Sequence, residues 1–326
     1  MNEDVLGPPY TTETLHLAPD EEGDVVATLV RRPADHGGGS RRAVLHVHGF
    51  ADYFFQTGYA DWWTARGYDF YALDLRKHGR SLRPHHTPNY VADLTTYHEE
   101  LDRAWELVTA RDGHDHVVGS GHSTGGLTAA LWADALRHRE LVGLVLNSPW
   151  FDLQGPAWMR TVGTRLLREV GRRQPRRVIP RTVSGLYARS LHRDHEGEHD
   201  FDLAWKPLAS WPVHAGWLRA VREGHARLHG GLDVGCPALV LTSGRSSTPT
   251  VMCEDVHRTD IVLDVAHMRR WAHHLGPHVT LTSIEGARHD VTLSLPEPRA
   301  RVYDALERWV AAYLDEAGRH DVEAAG

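Results

Sequence analysis

Six apolar runs of strand length recur along this chain of 326 residues, and segments long enough to form helices separate most of them. Continuous runs rich in valine and leucine are typical of strands that are buried on both faces of a parallel sheet. The alternation therefore predicts an α/β fold with a doubly wound, mostly parallel sheet. The runs are AVLHVHG (43–49), DFYALDL (69–75), HVVGSGHS (116–123), LVGLVLNSP (141–149), CPALVLTSG (236–244) and VTLTSIEG (279–286).

Helical patterns fill the stretches between these runs, and two further β-like stretches precede them. The opening pair, at 13–18 and 25–31, predicts a β-hairpin. The last helical pattern begins with proline and an acidic residue, which favour a helix N-terminus. Helices are predicted at 59–67, 93–111, 126–139, 265–276 and 296–314.

The alternation breaks between residues 154 and 232, where the composition changes. The stretch 165–181 carries seven arginines and one glutamate, whereas 193–202 is acidic. We interpret 154–232 as a helical cap inserted into a core that is formed by 1–153 and 233–326. The tryptophans of the cap are expected to form mainly a small core of its own; they are Trp158, Trp205, Trp211 and Trp217.

The motif GHSTGG at 121–126 lies between a β-like run and a helical pattern. This order is the one that a nucleophile elbow requires, because its glycines let the backbone turn sharply and expose the serine. Ser123 is therefore the candidate nucleophile. A plain βα turn, as in a dinucleotide-binding unit, has the same local pattern, and this motif alone leaves it open.

A serine hydroxyl is a weak nucleophile and needs a base, for which His289 is the candidate. This histidine follows the last β-like run, which places it at the carboxyl edge of a parallel sheet, as Ser123 is. His122, which precedes the serine, is expected to be structural or to line the substrate pocket.

The acid that orients the histidine should follow the run at 236–244, where several carboxylates occur. We favour Asp260, which precedes a short apolar run and the next helix. Asp264 is the alternative, but its place at the start of helix 265–276 also suits an N-cap. The remaining carboxylates are Glu254 and Asp255.

An oxyanion hole would need two backbone donors. The amide of Thr124, directly after the nucleophile, is the expected first donor. The second is expected in the loop HVHGFADY (46–53), where the amide of Phe50 follows a glycine. At the root of the cap, Trp150 and Phe151 are predicted to line an apolar substrate pocket.

These features together resemble the α/β-hydrolase superfamily, and most closely its monoacylglycerol lipase and lysophospholipase-like branch, also called serine aminopeptidase S33-like. The resemblance is carried by HVHGFADY, YALDLRKHGRS (71–81), GHSTGG and EGARHD (285–290). In the second piece, Lys77 stands where the family has the first glycine of a GHGxS turn. The resemblance implies an α/β-hydrolase fold with a helical cap, the order Ser–acid–His, and ester or amide hydrolysis through an acyl-enzyme, without cofactor or metal.

The reaction itself remains open within this resemblance. A serine at the elbow excludes a haloalkane dehalogenase, which needs aspartate there. Carboxylesterase or lipase-like activity on small or lipid-like acyl esters is the favoured prediction. Peptidase or amidase, acyltransferase, perhydrolase and lyase activities use the same residues. A catalytically silent ligand-binding module is the alternative from a different class.

Composition and the start of the chain indicate which classes of partner and which cellular location to expect. The net charge of −7 gives no general reason for nucleic-acid binding, and the two cysteines exclude a disulfide framework. The start of the chain lacks the apolar stretch of a secretory signal, and no run is long enough to cross a membrane, so a cytoplasmic location is expected.

Two local clusters suggest weaker hypotheses. The arginine-rich stretch could contact an anionic lipid surface, although such a run is more often a solvated face. A metal site is not expected, because the histidines at 192, 195 and 199 lie among charged residues and glycine that indicate an exposed loop. The oligomeric state is left open.

Overall fold

A nine-stranded sheet organises the computed structural model, which describes residues 2–35, 39–155, 163–181 and 183–315. The strand order is β1-β2-β3-β5-β4-β6-β7-β8-β9. The strands are β1 (Asn2–Glu3), β2 (Thr11–His16), β3 (Val26–Arg32), β4 (Arg42–Val47), β5 (Asp69–Asp74), β6 (His116–His122), β7 (Leu141–Asn147), β8 (Ala238–Ser243) and β9 (Val279–Ile284).

Strands β4 to β9 all run parallel, and β2 and β3 form the predicted hairpin, which joins the sheet antiparallel to β5. From β4 the chain moves outward to β5 and then returns to the other side of β4 as β6. Ligands of open α/β sheets bind at such a switch point, beyond the carboxyl ends of the strands. The mostly parallel sheet predicted from the apolar runs is thus confirmed.

Nine α-helices lie along the described part of the chain. The predicted helix at 93–111 comprises α2 and shorter turns of different pitch on either side of it. The helices are α1 (Thr57–Thr64), α2 (His98–Glu106), α3 (Thr124–Leu136), α4 (Thr164–Arg173), α5 (Leu186–Leu191), α6 (Ala215–His229), α7 (Glu254–Arg258), α8 (Val265–Trp271) and α9 (Pro296–Val310).

The sheet is covered on both faces, as the continuous apolar runs indicate. In β4, Ala43, Leu45 and Val47 join one buried cluster, and Val44 joins the other. Residues of α2, α3 and α6 complete the first cluster, and residues of α1 and α9 complete the second. Successive side chains of a strand point to opposite faces, so each strand serves two layers.

The segment predicted as a cap is only partly separate from the core. Helix α6 packs on α3, and its Trp217, Ala220 and Val221 belong to the same buried cluster as the sheet. Most tryptophans of the predicted cap were expected to form a core of its own, but Trp217 packs in the core of the sheet. Trp158 lies outside the described residues.

Lys77 occupies a position whose backbone favours glycine, with φ of +64°. Its side chain is buried, and its ammonium lies 2.6 Å from a carboxylate oxygen of Asp20 and 2.5 Å from one of Glu22. The lysine therefore ties the turn after β5 to the loop between β2 and β3.

No described helix is both long and apolar enough to cross a membrane.

Candidate active site

Ser123 lies on a sharp turn between β6 and α3, with φ of +55° and ψ of −117°. A serine rarely adopts this conformation, so its surroundings must hold it there. Its amide donates to the carbonyl of Asn147 at 2.9 Å, and its carbonyl accepts from the amides of Gly126 at 3.1 Å and Trp150 at 3.0 Å. The sequence-predicted strand–turn–helix is present, and its serine is the strained residue.

The glycines around Ser123 are required by close backbone packing. A Cβ atom on Gly125 would lie 2.2 Å from the carbonyl oxygen of His48, and one on Gly121 would lie 2.6 Å from that of Gly125. No rotation of a side chain could relieve contacts with backbone atoms. The glycines therefore let the start of α3 approach the end of β4.

His289 and Asp260 are in direct contact. Nδ1 of His289 lies 2.8 Å from Oδ2 of Asp260, and both side chains are buried. The other carboxylate oxygen, Oδ1, accepts from the amides of Val262 at 2.8 Å and Leu263 at 2.7 Å. Asp260 therefore faces the histidine in a fixed orientation.

Asp264, the alternative acid, caps a helix instead. Its Oδ1 accepts from the amide of Ala266 at 2.9 Å at the N-terminus of α8. The long loop after β8 folds back on itself: the amide of Asp260 donates to the carbonyl of Arg245 at 3.0 Å, and its carbonyl accepts from Ser247 at 3.1 Å. Helix α7 lies within this loop. Because the loop folds back after α7, Asp260 lies at the sheet edge although it is far from β8 in sequence.

Phe50 and Thr124, the two candidate oxyanion residues, line the same cavity as Ser123. The amide next to Phe50, that of Ala51, donates to Oδ1 of Asn89 at 3.1 Å. The amides of Phe50 and Thr124 themselves have no acceptor among the described residues. Two unengaged donors therefore lie at the cavity that holds the serine.

The cavity has a volume of about 510 Å³, within the usual range for small-molecule sites. Ser123, His289, His122 and Trp150 all line it. Phe151 does not: it is 1% exposed and packs in the core cluster instead. The predicted pocket role of Phe151 is therefore wrong, because consecutive residues after β7 point in different directions.

Sequence analysis missed a buried charge network that lines the same cavity as Ser123. Nζ of Lys206 lies 2.8 Å from Oδ1 of Asp52, and Nδ1 of His122 lies 3.3 Å from Oδ2 of the same carboxylate. Burial alone would raise the pKa of Asp52, but Lys206 and then His122 hold it below its ordinary value. Burial likewise opposes the charge of His122, yet Asp290 and Asp52 raise its pKa. In the sequence, the only indication of this network was an aspartate, Asp52, within the HGFAD stretch.

Replacing Lys206 with methionine should destabilise the fold by about 3–5 kcal/mol, since it leaves the Asp52 carboxylate buried without its cation. Urea unfolding of the purified variant would measure this loss. The matched control is Arg193→Met, which removes an exposed ion pair with Asp200 and should cost under about 1 kcal/mol. Equal losses in the two variants would contradict the assigned role of the buried pair.

The loop that carries His289 is held from two sides. Asn147, at the end of β7, donates from Nδ2 to Oδ1 of Asp290 at 2.6 Å and accepts from the amide of Val291 at 3.1 Å. From the inserted segment, the ring of Tyr187 packs edge-on against that of His289, with centroids 5.6 Å apart. The Tyr187 hydroxyl also accepts from the amide of Asp290 at 3.1 Å.

The histidines at 192, 195 and 199 do not gather into a metal-ligand set. His192 is buried rather than on an exposed loop as expected, and its Nε2 lies 3.1 Å from the carbonyl oxygen of Phe201. Within the part of the chain that the structure describes, no group of three or more histidine, cysteine or acidic residues could hold a metal ion.

Comparison with solved structures shows the same architecture in several hydrolases. A monoglyceride lipase from Saccharomyces cerevisiae, solved with a substrate analogue, superposes with a TM-score of 0.66 at 17% identity, covering 92% of this chain and 95% of that one. A monoacylglycerol lipase from Paleococcus ferrophilus gives 0.63 at 20% identity, covering 87% and 99%. A thermophilic esterase from Thermogutta terrifontis gives 0.58 at 20% identity, covering 92% and 99%. These likenesses establish the α/β-hydrolase fold.

Sequence comparison identifies the family directly. A search of curated proteins found no significant match. The model of the family described as serine aminopeptidase, S33, matches residues 38–295, which is well over half of the chain. Together with the fold, this match shows that the chain belongs to the serine aminopeptidase S33 family of α/β-hydrolases.

Proposed function

We propose that this protein is a serine hydrolase that cleaves carboxylic esters of small or lipid-like acyl groups. The observation that carries the proposal is one cavity lined by both Ser123 and His289, with Nδ1 of the histidine 2.8 Å from Asp260. A nucleophile, a base and an acid that orients the base are the parts that acyl transfer to a serine requires.

In the proposed mechanism, Oγ of Ser123 attacks the carbonyl carbon of the ester while Nε2 of His289 takes its proton. The tetrahedral intermediate collapses as the histidine returns this proton to the leaving alcohol, which leaves an acyl-serine. Water then attacks the acyl group by the same proton route and releases the acid. The carboxylate of Asp260 accepts a hydrogen bond from Nδ1–H of His289, which fixes the tautomer and stabilises the imidazolium.

The negative charge of each tetrahedral intermediate needs donors that are already in place. The amides of Phe50 and Thr124 are positioned for this role, because both line the cavity and neither has another described acceptor. Each such donor contributes roughly 3–4 kcal/mol to the stabilisation of the transition state. The strained turn at Ser123 keeps the nucleophile and the Thr124 donor adjacent.

Esters are favoured over peptides by the character of the cavity. Much of its lining is apolar, including Trp150, Ile179, Val213, Trp217 and Leu263. An acyl chain can bury its surface against such a lining. The relatives with the same architecture include lipases and an esterase, which agrees with this preference.

The proposal is tested by labelling the purified protein with a fluorophosphonate probe and by assaying p-nitrophenyl esters from acetate to palmitate. Labelling of Ser123 with an optimum of turnover at one chain length is the expected result. Labelling without ester turnover would contradict ester hydrolysis and indicate an amidase or acyltransferase that uses the same serine. Neither labelling nor turnover would indicate a silent binding module and overturn the proposal.

A further inference from the structure

The cavity of the candidate active site has an unbalanced charge. Among the described residues that line it, the side chains with a permanent charge are Asp52, Lys206 and Arg181. Asp52 and Lys206 form a buried ion pair at 2.8 Å and balance each other. Arg181 is left as a cation at the cavity without a counter-charge in its lining.

Arg181 is held in place by neutral groups. One terminal nitrogen, Nη2, donates to Oγ of Ser210 and to the carbonyl of Trp211, both at 2.9 Å. The guanidinium carbon lies 5.6 Å from the centroid of the Phe50 ring. The cation therefore lies beside the ring of Phe50, whose amide is a candidate oxyanion donor, and it lines the same cavity as Ser123.

Three other arginines of the same stretch have acidic partners, whereas Arg177 contacts Gln174 and, like Arg181, has no acidic partner among the described residues. Arg172 and Arg173 pair with Glu169 on α4, and Arg176 pairs with Glu22 in the loop between β2 and β3. Arg181 has no carboxylate within 4.0 Å among the residues that the structure describes. A guanidinium has five N–H donors. Arg181 therefore keeps donors for hydrogen bonds to a planar anionic group.

We propose that Arg181 binds a carboxylate group of the substrate, so that the preferred esters carry a negative charge away from the scissile bond. This inference rests on the proposed ester hydrolysis and adds a substrate class to it. Arg181 is an exposed residue, so a ligand in the cavity can reach its guanidinium, and the burial of part of that group lowers its pKa. A bound carboxylate would form charge-assisted hydrogen bonds with the N–H groups of the guanidinium.

Two matched substrate pairs test which side of the ester carries the charge. On the acyl side, p-nitrophenyl hemiadipate is compared with p-nitrophenyl hexanoate. On the alcohol side, 4-(butanoyloxy)benzoate is compared with its methyl ester. For each pair, the ratio of kcat/KM for the anionic ester to that for the neutral ester is measured in the wild-type chain and in variants.

We expect a ratio above one in at least one pair, and a fall of that ratio by about ten- to hundredfold in Arg181→Met. Arg181→Lys should retain part of the preference, since it keeps the charge but loses the planar donors. Arg177→Met is the matched control: this arginine contacts Gln174, does not line the cavity, and should leave both ratios unchanged.

The outcomes separate this inference from the one on which it rests. A wild-type chain that hydrolyses the neutral esters but shows no preference for either anionic ester overturns the role of Arg181 alone. If the ratio fell equally in Arg177→Met and Arg181→Met, the preference would come from the general positive charge of the stretch. This result would also overturn the role of Arg181. Failure to hydrolyse any of the four esters counts against the proposed function itself.

Discussion

Replacing Ser123 with alanine should lower kcat/KM for the preferred p-nitrophenyl ester by about 10⁴- to 10⁶-fold, with residual turnover from the remaining groups of the site. The reason is that no acyl-enzyme can form without the Oγ atom. Fluorophosphonate labelling should disappear in the same variant. The fold should persist, because the interactions that hold this turn are made by the backbone of Ser123.

The control for this variant is Ser283→Ala, which removes an exposed hydroxyl on the edge strand β9. It should match the wild-type protein in turnover and labelling. Circular dichroism and thermal unfolding of both variants would verify that they are folded. Wild-type turnover in Ser123→Ala would show that another residue is the nucleophile.

Replacing Asp260 with asparagine should lower kcat by about 10⁴-fold with little change in the fold. The amide oxygen can still accept from the backbone of Val262 and Leu263, as Oδ1 of the aspartate does. The amide nitrogen then faces Nδ1 of His289, and two donors cannot share one hydrogen bond. The histidine is driven to the wrong tautomer and can no longer take the serine proton.

Asp264→Asn provides the matched control for this prediction. Asparagine caps a helix about as well as aspartate, so α8 should keep its N-terminus and turnover should stay near that of the wild type. Steady-state kinetics of both variants on one ester would decide which aspartate orients the histidine. A large loss in Asp264→Asn together with normal turnover in Asp260→Asn would reverse the assignment of the acid.

Features set by neighbouring residues could be predicted from the sequence. The turn at Ser123 depends on the glycines beside it and on the flanking strand and helix, all within one short stretch. The parallel sheet likewise follows from runs that are apolar at every position, since both faces are covered. His289 lies at the same sheet edge because it follows a parallel strand.

Features that join distant segments could not be predicted in this way. Asp52 and Lys206 are 154 residues apart, and nothing in either local sequence indicates their pairing. The packing of α6 could not be predicted for a related reason. The apolar face of α6 suits a separate small core as well as the main one, and only its packing on α3 shows which it joins.

The contacts between the inserted segment and the loop after β4 limit how segments of this protein can be exchanged with those of its relatives. Besides the Asp52–Lys206 pair, the amide of Asp202 donates to the Tyr53 hydroxyl at 2.7 Å. A chimera that received a foreign segment without Lys206 would leave the buried Asp52 carboxylate without its cation, two residues from Phe50. The inserted segment and this loop would therefore have to be exchanged together in any such chimera.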